Sequence, residues 1–188
     1  MKFWTIQTRN VLDTIQKKGL YQPDFSISRY LELNRELDEL YAMILDSFNR
    51  INNTNLPGVV FAFSQRIDST IYPIESIEEF KAFINDKKAA LLSFWRHLDK
   101  ENSVIMELDY ENDFNPIYID LNDFQFLMPP LMLLPPYTQD SVRRILRDLY
   151  LGQITPSELP SYVIQSHLPY IEKKNLVNTY PVFDLDFE

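Results

Sequence analysis

Tyr30, Leu33, Leu37, Tyr41, Ile44, Phe48 and Ile51 recur every three or four residues, the spacing that gathers side chains onto one side of an α-helix. A helix with so long an apolar side draws its stability from packing, so other parts of the chain must supply a surface to cover it. The spacing predicts one long helix, capped by Ser28 and ended by the polar run Asn52-Asn53-Thr54-Asn55. Beyond Pro57-Gly58 comes Val59-Val60-Phe61-Ala62-Phe63, whose β-branched and aromatic residues favour a strand.

Other segments carry local signals of the same kinds. Phe3 to Gln7 alternates like a strand, Thr8 can cap a helix carrying Val11, Leu12 and Ile15, and Gly19 fits its left-handed stop. Ser76 and Glu79 have capping-box spacing ahead of Ile77, Phe80, Phe83 and Ile84, and a further helix is expected from about Asp86 to Leu98. Ser103 to Tyr110 and Pro116 to Ile119 read as the two strands of a hairpin turned at Glu111-Asn112-Asp113. Thr138 can cap a helix with Val142, Ile145, Leu146 and Leu149, ended by Gly152, and Thr155-Pro156-Ser157-Glu158 predicts another helix start. Tyr180 to Phe187 reads as a last strand with Asp184, Asp186 and Glu188 exposed. The expected fold is therefore α+β, with helices packed on a mixed or antiparallel sheet of about five strands. Residues 1–128 form the main domain, and residues 129–188 form a C-terminal helical extension packed on it as one unit.

Composition excludes several chemistries. The absence of cysteine removes disulfides, thiolate nucleophiles and sulfur-ligated metals. Three glycines, Gly19, Gly58 and Gly152, are too scattered for a phosphate-binding or dinucleotide loop. His97 and His167 stand in no metal-ligand spacing, so no metal and no cofactor is expected. The opening residues turn polar too early for a signal peptide, and the longest apolar stretch, Phe126 to Leu134, is broken by Pro129 and Pro130. A cytoplasmic protein without membrane contact is the expectation. A net charge of −9, from 27 acidic against 18 basic residues, disfavours direct nucleic-acid binding and favours a protein partner with a basic surface.

The acids concentrate between Asp99 and Asp123, where the only lysine is Lys100. Asp99, Glu101, Asp109, Glu111, Asp113, Asp120 and Asp123 are the candidate partner-binding residues, the plainer reading being solubility. Glu107 and Asp109 alternate onto one face of their strand and could hold a metal or divide acid and base roles, although a solvated face shared with Ile105 explains them as well. Arg143, Arg144 and Arg147 can clamp an anion or pair with nearby carboxylates. Phe126, Leu127, Met128, Leu131, Met132 and Leu133, among four prolines, suit either an apolar contact surface or a buried crossing.

Lys2-Phe3-Trp4-Thr5-Ile6-Gln7, the helix end Lys18-Gly19-Leu20-Tyr21 and Asp24 resemble the start of a bacterial family catalogued as domain of unknown function 3841. Val104-Ile105-Met106-Glu107-Leu108 and Ile119-Asp120-Leu121-Asn122-Asp123-Phe124 are similar to that family's acidic strand pair, while Phe61-Ala62-Phe63-Ser64-Gln65 departs from its tryptophan-rich strand. The resemblance covers about the first two thirds of the chain and implies no activity. The opening is also similar to small ADP-ribosyltransferase-like domains, which bind NAD without a glycine-rich loop. That likeness implies a nicotinamide pocket lined by Trp4, Thr5 and Gln7, with Asp24 beside it and Glu107 as the catalytic carboxylate. Two functions are thus expected in competition: an acidic non-catalytic interaction module, such as an inhibitor, and an NAD- or nucleotide-binding small enzyme.

Overall fold

A computed structural model describes residues 1–67, 70–111, 114–154 and 156–185. The chain is α+β, built on an antiparallel sheet. In chain order the elements are β1 (Lys2–Thr8), α1 (Arg9–Lys18), β2 (Leu20–Tyr21), α2 (Arg29–Leu33), α3 (Asp38–Asn52), β3 (Val60–Ile67), β4 (Thr70–Tyr72), α4 (Ile77–Asp86), α5 (Lys88–His97), β5 (Ser103–Asp109), β6 (Ile117–Asp120), α6 (Leu121–Leu127), α7 (Gln139–Leu151), β7 (Val163–Leu168), β8 (Ile171–Glu172) and β9 (Leu176–Pro181). Six strands run β6-β7-β3-β1-β5-β9, β4 adds to β3, and β2 pairs with β8 in a separate ribbon.

Pleat alternation divides the core. Trp4, Phe63 and Ile105 lie on one face, packed with Phe80, Ile84, Leu91 and Trp95 of α4 and α5. On the same face, toward β6, Phe61 and Ile117 meet Ile44 and Phe48 of α3 and Ile145 and Leu149 of α7. Phe3, Val60, Met106 and Leu108 point the other way, onto Val11 and Ile15 of α1. Gly19 ends α1 at φ 79° and Gly152 ends α7 at φ 69°, as their positions in the sequence require. At Gly58 a Cβ would stand 2.8 Å from the Pro23 carbonyl oxygen, so the chain crosses there only because it carries no side chain.

Four expectations are corrected. The long helix is broken. Asn34, at φ −131° and ψ 57°, turns the chain between α2 and α3, and its Nδ2 donates to the Tyr30 carbonyl at 2.7 Å. Leu37 onward packs inward as expected, but Tyr30 and Leu33 face solvent, 51% and 73% exposed.

The hairpin does not form. β5 is a central strand, flanked by β1 and β9, so β6 pairs with β7 instead. Its proposed turn includes Asn112 and Asp113, which lie outside the described residues.

No helix starts at Pro156. Thr155 lies outside the described residues, the Ser157 hydroxyl is committed to Asp123, and Glu158 is committed to Ser141 and Arg144. Pro160 follows too soon to supply the amide that a helix would need there.

The last strand lies earlier than expected, at Leu176–Pro181. The chain then leaves the sheet, and Leu185 packs with α4 and α5 while Asp184 is exposed. Asp186, Phe187 and Glu188 lie outside the described residues. The described residues of 129–188 hold α7 and the strands β7, β8 and β9, and β7 is inserted between β6 and β3.

Candidate functional site

Trp4 is 1% exposed, stacked on Phe80 with centroids 5.0 Å apart, and its Nε1 donates to the Ile74 carbonyl at 2.7 Å. Thr5 and Gln7 alternate onto the opposite side of β1, where Thr5 Oγ1 donates to the Phe61 carbonyl at 2.6 Å and Gln7 Nε2 donates to Thr5 Oγ1 at 2.8 Å. Asp24 caps a 3-10 turn, accepting from the Ser26 amide at 2.9 Å and hydroxyl at 2.6 Å. The residues assigned to a nicotinamide pocket are therefore split by the thickness of the sheet, and each has a structural partner.

Glu107 sits across from Trp4 in the β1–β5 register, 6% exposed, beneath the α4 side of the sheet. Its Oε2 accepts from Asn178 Nδ2 and from the Tyr180 hydroxyl, both at 3.1 Å, and its Oε1 lies 3.3 Å from Lys2 Nζ. The solvated-face reading fails here, because Ile105 on the same face is fully buried. Tyr180 is raised, first by burial and then by the Glu107 carboxylate, so the phenol stays protonated and donates. Glu107→Gln is expected to lower stability by about 2 kcal/mol in urea unfolding, since Lys2 loses its buried counter-charge. A purely catalytic Glu107 would leave the urea midpoint unchanged.

The acidic stretch does not form one surface. Asp99 and Glu101 precede β5, and Asp109 and Glu111 follow its core, so the pairs stand about 20 Å apart along a strand rising roughly 3.3 Å per residue. Asp99 accepts from Asn102, and Asp109 pairs with the Met1 amino group at 3.0 Å. Asp113 lies outside the described residues.

Asp120 and Asp123 are corrected from partner-facing to buried, at 2% and 5% exposure. Asp120 caps α6 through the Asn122 amide at 2.9 Å and also accepts from Ser161 Oγ at 2.8 Å and the Tyr162 amide at 3.2 Å. Asp123 accepts from the hydroxyls of Tyr137, at 2.8 Å, and Ser157. Burial pushes the Asp123 carboxyl up, against those two hydrogen bonds, and the Asp120 carboxylate adds to the rise.

The arginines of α7 all pair with carboxylates: Arg143 with Asp140 at 3.1 Å, Arg144 with Glu158 at 2.7 Å and Arg147 with Asp148 at 2.8 Å. His97 is exposed at the end of α5, and His167 is fully buried in β7. Among the described residues no group of three His, Cys, Asp or Glu is gathered to hold a metal ion, and no helix is long and apolar enough to cross a membrane.

A different surface emerges where the expected helix breaks. Ile27, Tyr30 and Leu33, spaced three apart, are 80%, 51% and 73% exposed. Glu32, Glu36, Asp38 and Glu39 lie in or just after the same segment of the chain, all exposed and none ion-paired among the described residues. The same span carries two arginines, Arg29 and Arg35, so carboxylates outnumber cations two to one. The sequence signal was present, but the apolar periodicity assigned Tyr30 and Leu33 to the core. A second exposed apolar run, Leu131 to Leu134, lies in the proline segment, while Phe126, Leu127 and Met128 pack inward.

No family model matches the chain, and neither a curated protein nor a solved structure matches it.

Proposed function

We propose that this chain is a non-catalytic interaction module that engages a basic surface of a protein partner. The observation that carries the reading is the segment from Ile27 to Glu39, where Ile27, Tyr30 and Leu33 are exposed and four exposed carboxylates have no ion pair among the described residues. Large apolar side chains this exposed are costly to keep on a free surface, and carboxylates without internal partners are free to meet cations. Together they match an apolar patch rimmed by lysine or arginine. The net charge of −9 adds long-range attraction to such a partner. Trp4 and Thr5, assigned to a nicotinamide pocket, and Glu107, assigned to catalysis, are instead committed to packing and internal hydrogen bonds.

Affinity capture from cells with the wild-type chain and with Ile27→Asp/Leu33→Asp tests the reading. A basic protein is expected on the wild-type chain at low salt, released as salt rises, and retained at least about tenfold less by the double variant. Equal retention by both chains, or retention indifferent to salt, refutes it.

A further inference from the structure

Arg29–Asn52 contains neither glycine nor proline, and its apolar repeat runs unbroken from Tyr30 to Ile51, yet the chain divides at Asn34. Little holds the division. The Asn34 side chain donates to the Tyr30 carbonyl at 2.7 Å, and the 3-10 turn Arg35–Leu37 that follows is closed by the Leu37 amide on the Asn34 carbonyl at 2.9 Å. A 3-10 stretch between two α-helical ones is a common site of hinging. Within α2 only Leu31 is buried. The start of a longer helix is already built, because the Ser28 hydroxyl accepts from the Leu31 amide at 3.4 Å and the Ser28 carbonyl accepts from the Glu32 amide at 2.9 Å. Arg35 is exposed and has no ion pair among the described residues, whereas one continuous helix would set it three or four residues from Glu32, Asp38 and Glu39.

We propose that α2 is a hinged arm with a second setting, in which Arg29–Asn52 is one continuous helix, and that the partner selects it. Straightening lifts Leu31 from the core and brings Tyr30 and Leu33 into line with Leu37, Tyr41 and Ile44, one side of a 3.6-residue helix. Unwinding the turn Phe25–Ile27 supplies the slack, since an extended residue spans about 3.3 Å against about 2 Å in a 3-10 helix. The lengthened apolar row gains only when something covers it. The free chain therefore keeps the broken setting, and an apolar patch rimmed by basic residues favours the straight one. The partner's part rests on the reading above; the hinge itself does not.

Chemical-exchange NMR on the intact free chain tests the hinge. Asn34 to Leu37 are expected to exchange with a minor state, about 1–10% populated, that has helical carbon shifts. Asn34→Leu removes the bond to the Tyr30 carbonyl and favours a helix, so it should raise that state about tenfold. Arg35→Pro should abolish it, because proline suits the first position of the 3-10 turn but lacks the amide that a continuous helix needs there. Absence of a helical minor state overturns the hinge, as does one that Asn34→Leu does not raise or Arg35→Pro does not remove. Capture from cells then tests the partner's part. Arg35→Pro should retain the basic protein at least about tenfold less than the wild-type chain, even though it removes a repelling positive charge. Equal retention, with the minor state present in the wild-type chain, overturns selection by the partner and leaves the hinge. No capture by the wild-type chain overturns the reading above and selection with it, but not the hinge.

Discussion

Replacing Trp4 by alanine is expected to lower stability by about 4 kcal/mol and Tm by roughly 10 °C. The indole is 1% exposed in a central strand, so its removal opens a cavity that the two flanking ladders, to β3 and β5, prevent from collapsing. It also removes a stacked partner from Phe80, at 5.0 Å and 12° between planes, and leaves the Ile74 carbonyl without its donor. Trp4→Phe keeps part of the stack and loses the hydrogen bond, so a smaller drop of about 2 kcal/mol should follow. Urea and thermal unfolding of both variants provide the measurement. A Trp4 whose role was to line a ligand pocket would give the opposite pattern, with little change in the unfolding midpoint. Against a typical stability of about 5–15 kcal/mol, the alanine variant loses a substantial share, and the phenylalanine variant keeps the comparison measurable.

How far the sequence revealed this architecture depended on how local each signal was. Helix α7 could be read because Thr138, Ser141 and Gly152 act within a turn of its ends. The same holds for α1 and Gly19, and for Ser76, whose hydroxyl accepts from the Glu79 amide at 3.1 Å. Even there the reciprocal half of the box failed, because the Glu79 carboxylate turns to the Glu75 amide at 2.9 Å and to Gln65 at 2.9 Å. Strand pairing was not local. Nothing within Val104 to Leu108 names its neighbours, although its unbroken burial is that of a strand covered on both faces. β7 carries Gln165, Ser166 and His167 in its middle, polar residues that masked a buried strand.

The acids misled for a related reason. Asp120 is buried by Ser161 and Tyr162, forty-one and forty-two residues later, and Asp123 by Ser157, thirty-four residues later. Residue type fixes the charge, but only long-range contacts decide whether that charge faces a partner or the interior. The α2 face shows the converse: its apolar spacing continues that of α3, and one asparagine side chain bonding the carbonyl four residues back turns it outward.

The wild-type chain is expected to lose about 3 kcal/mol of stability between pH 7 and pH 4 through His167 alone, and a His167→Leu chain should lose none of that part. The imidazole is fully buried, edge-on to Phe61 with centroids 5.1 Å apart, and its Nδ1 lies 3.2 Å from the Ile117 carbonyl. Nδ1 therefore carries the proton and donates it, leaving Nε2 bare and without a partner among the described residues. Protonating Nε2 would bury a charge that has no acceptor. Burial accordingly lowers the pKa from 6.5 to about 3, against the Ile117 hydrogen bond, which raises it. With the folded value below the unfolded one, the unfolded chain binds more protons throughout the interval between them. Stability rises with pH there, is complete above about 6.5, and is lost as pH falls toward 3. Asp123, raised by burial, acts in the opposite sense and favours the folded state at low pH, whereas Glu158, lowered by its hydrogen bond from Ser141, acts in the same sense as His167, so the total curve is not the His167 part alone. Subtracting the His167→Leu curve from the wild-type curve removes Asp123 and every other shared group. For a chain of this size the difference corresponds to a relative shift in urea midpoint of roughly 1.5 M across the interval. Parallel midpoint curves for the two chains would show that His167 is not held neutral by the sheet.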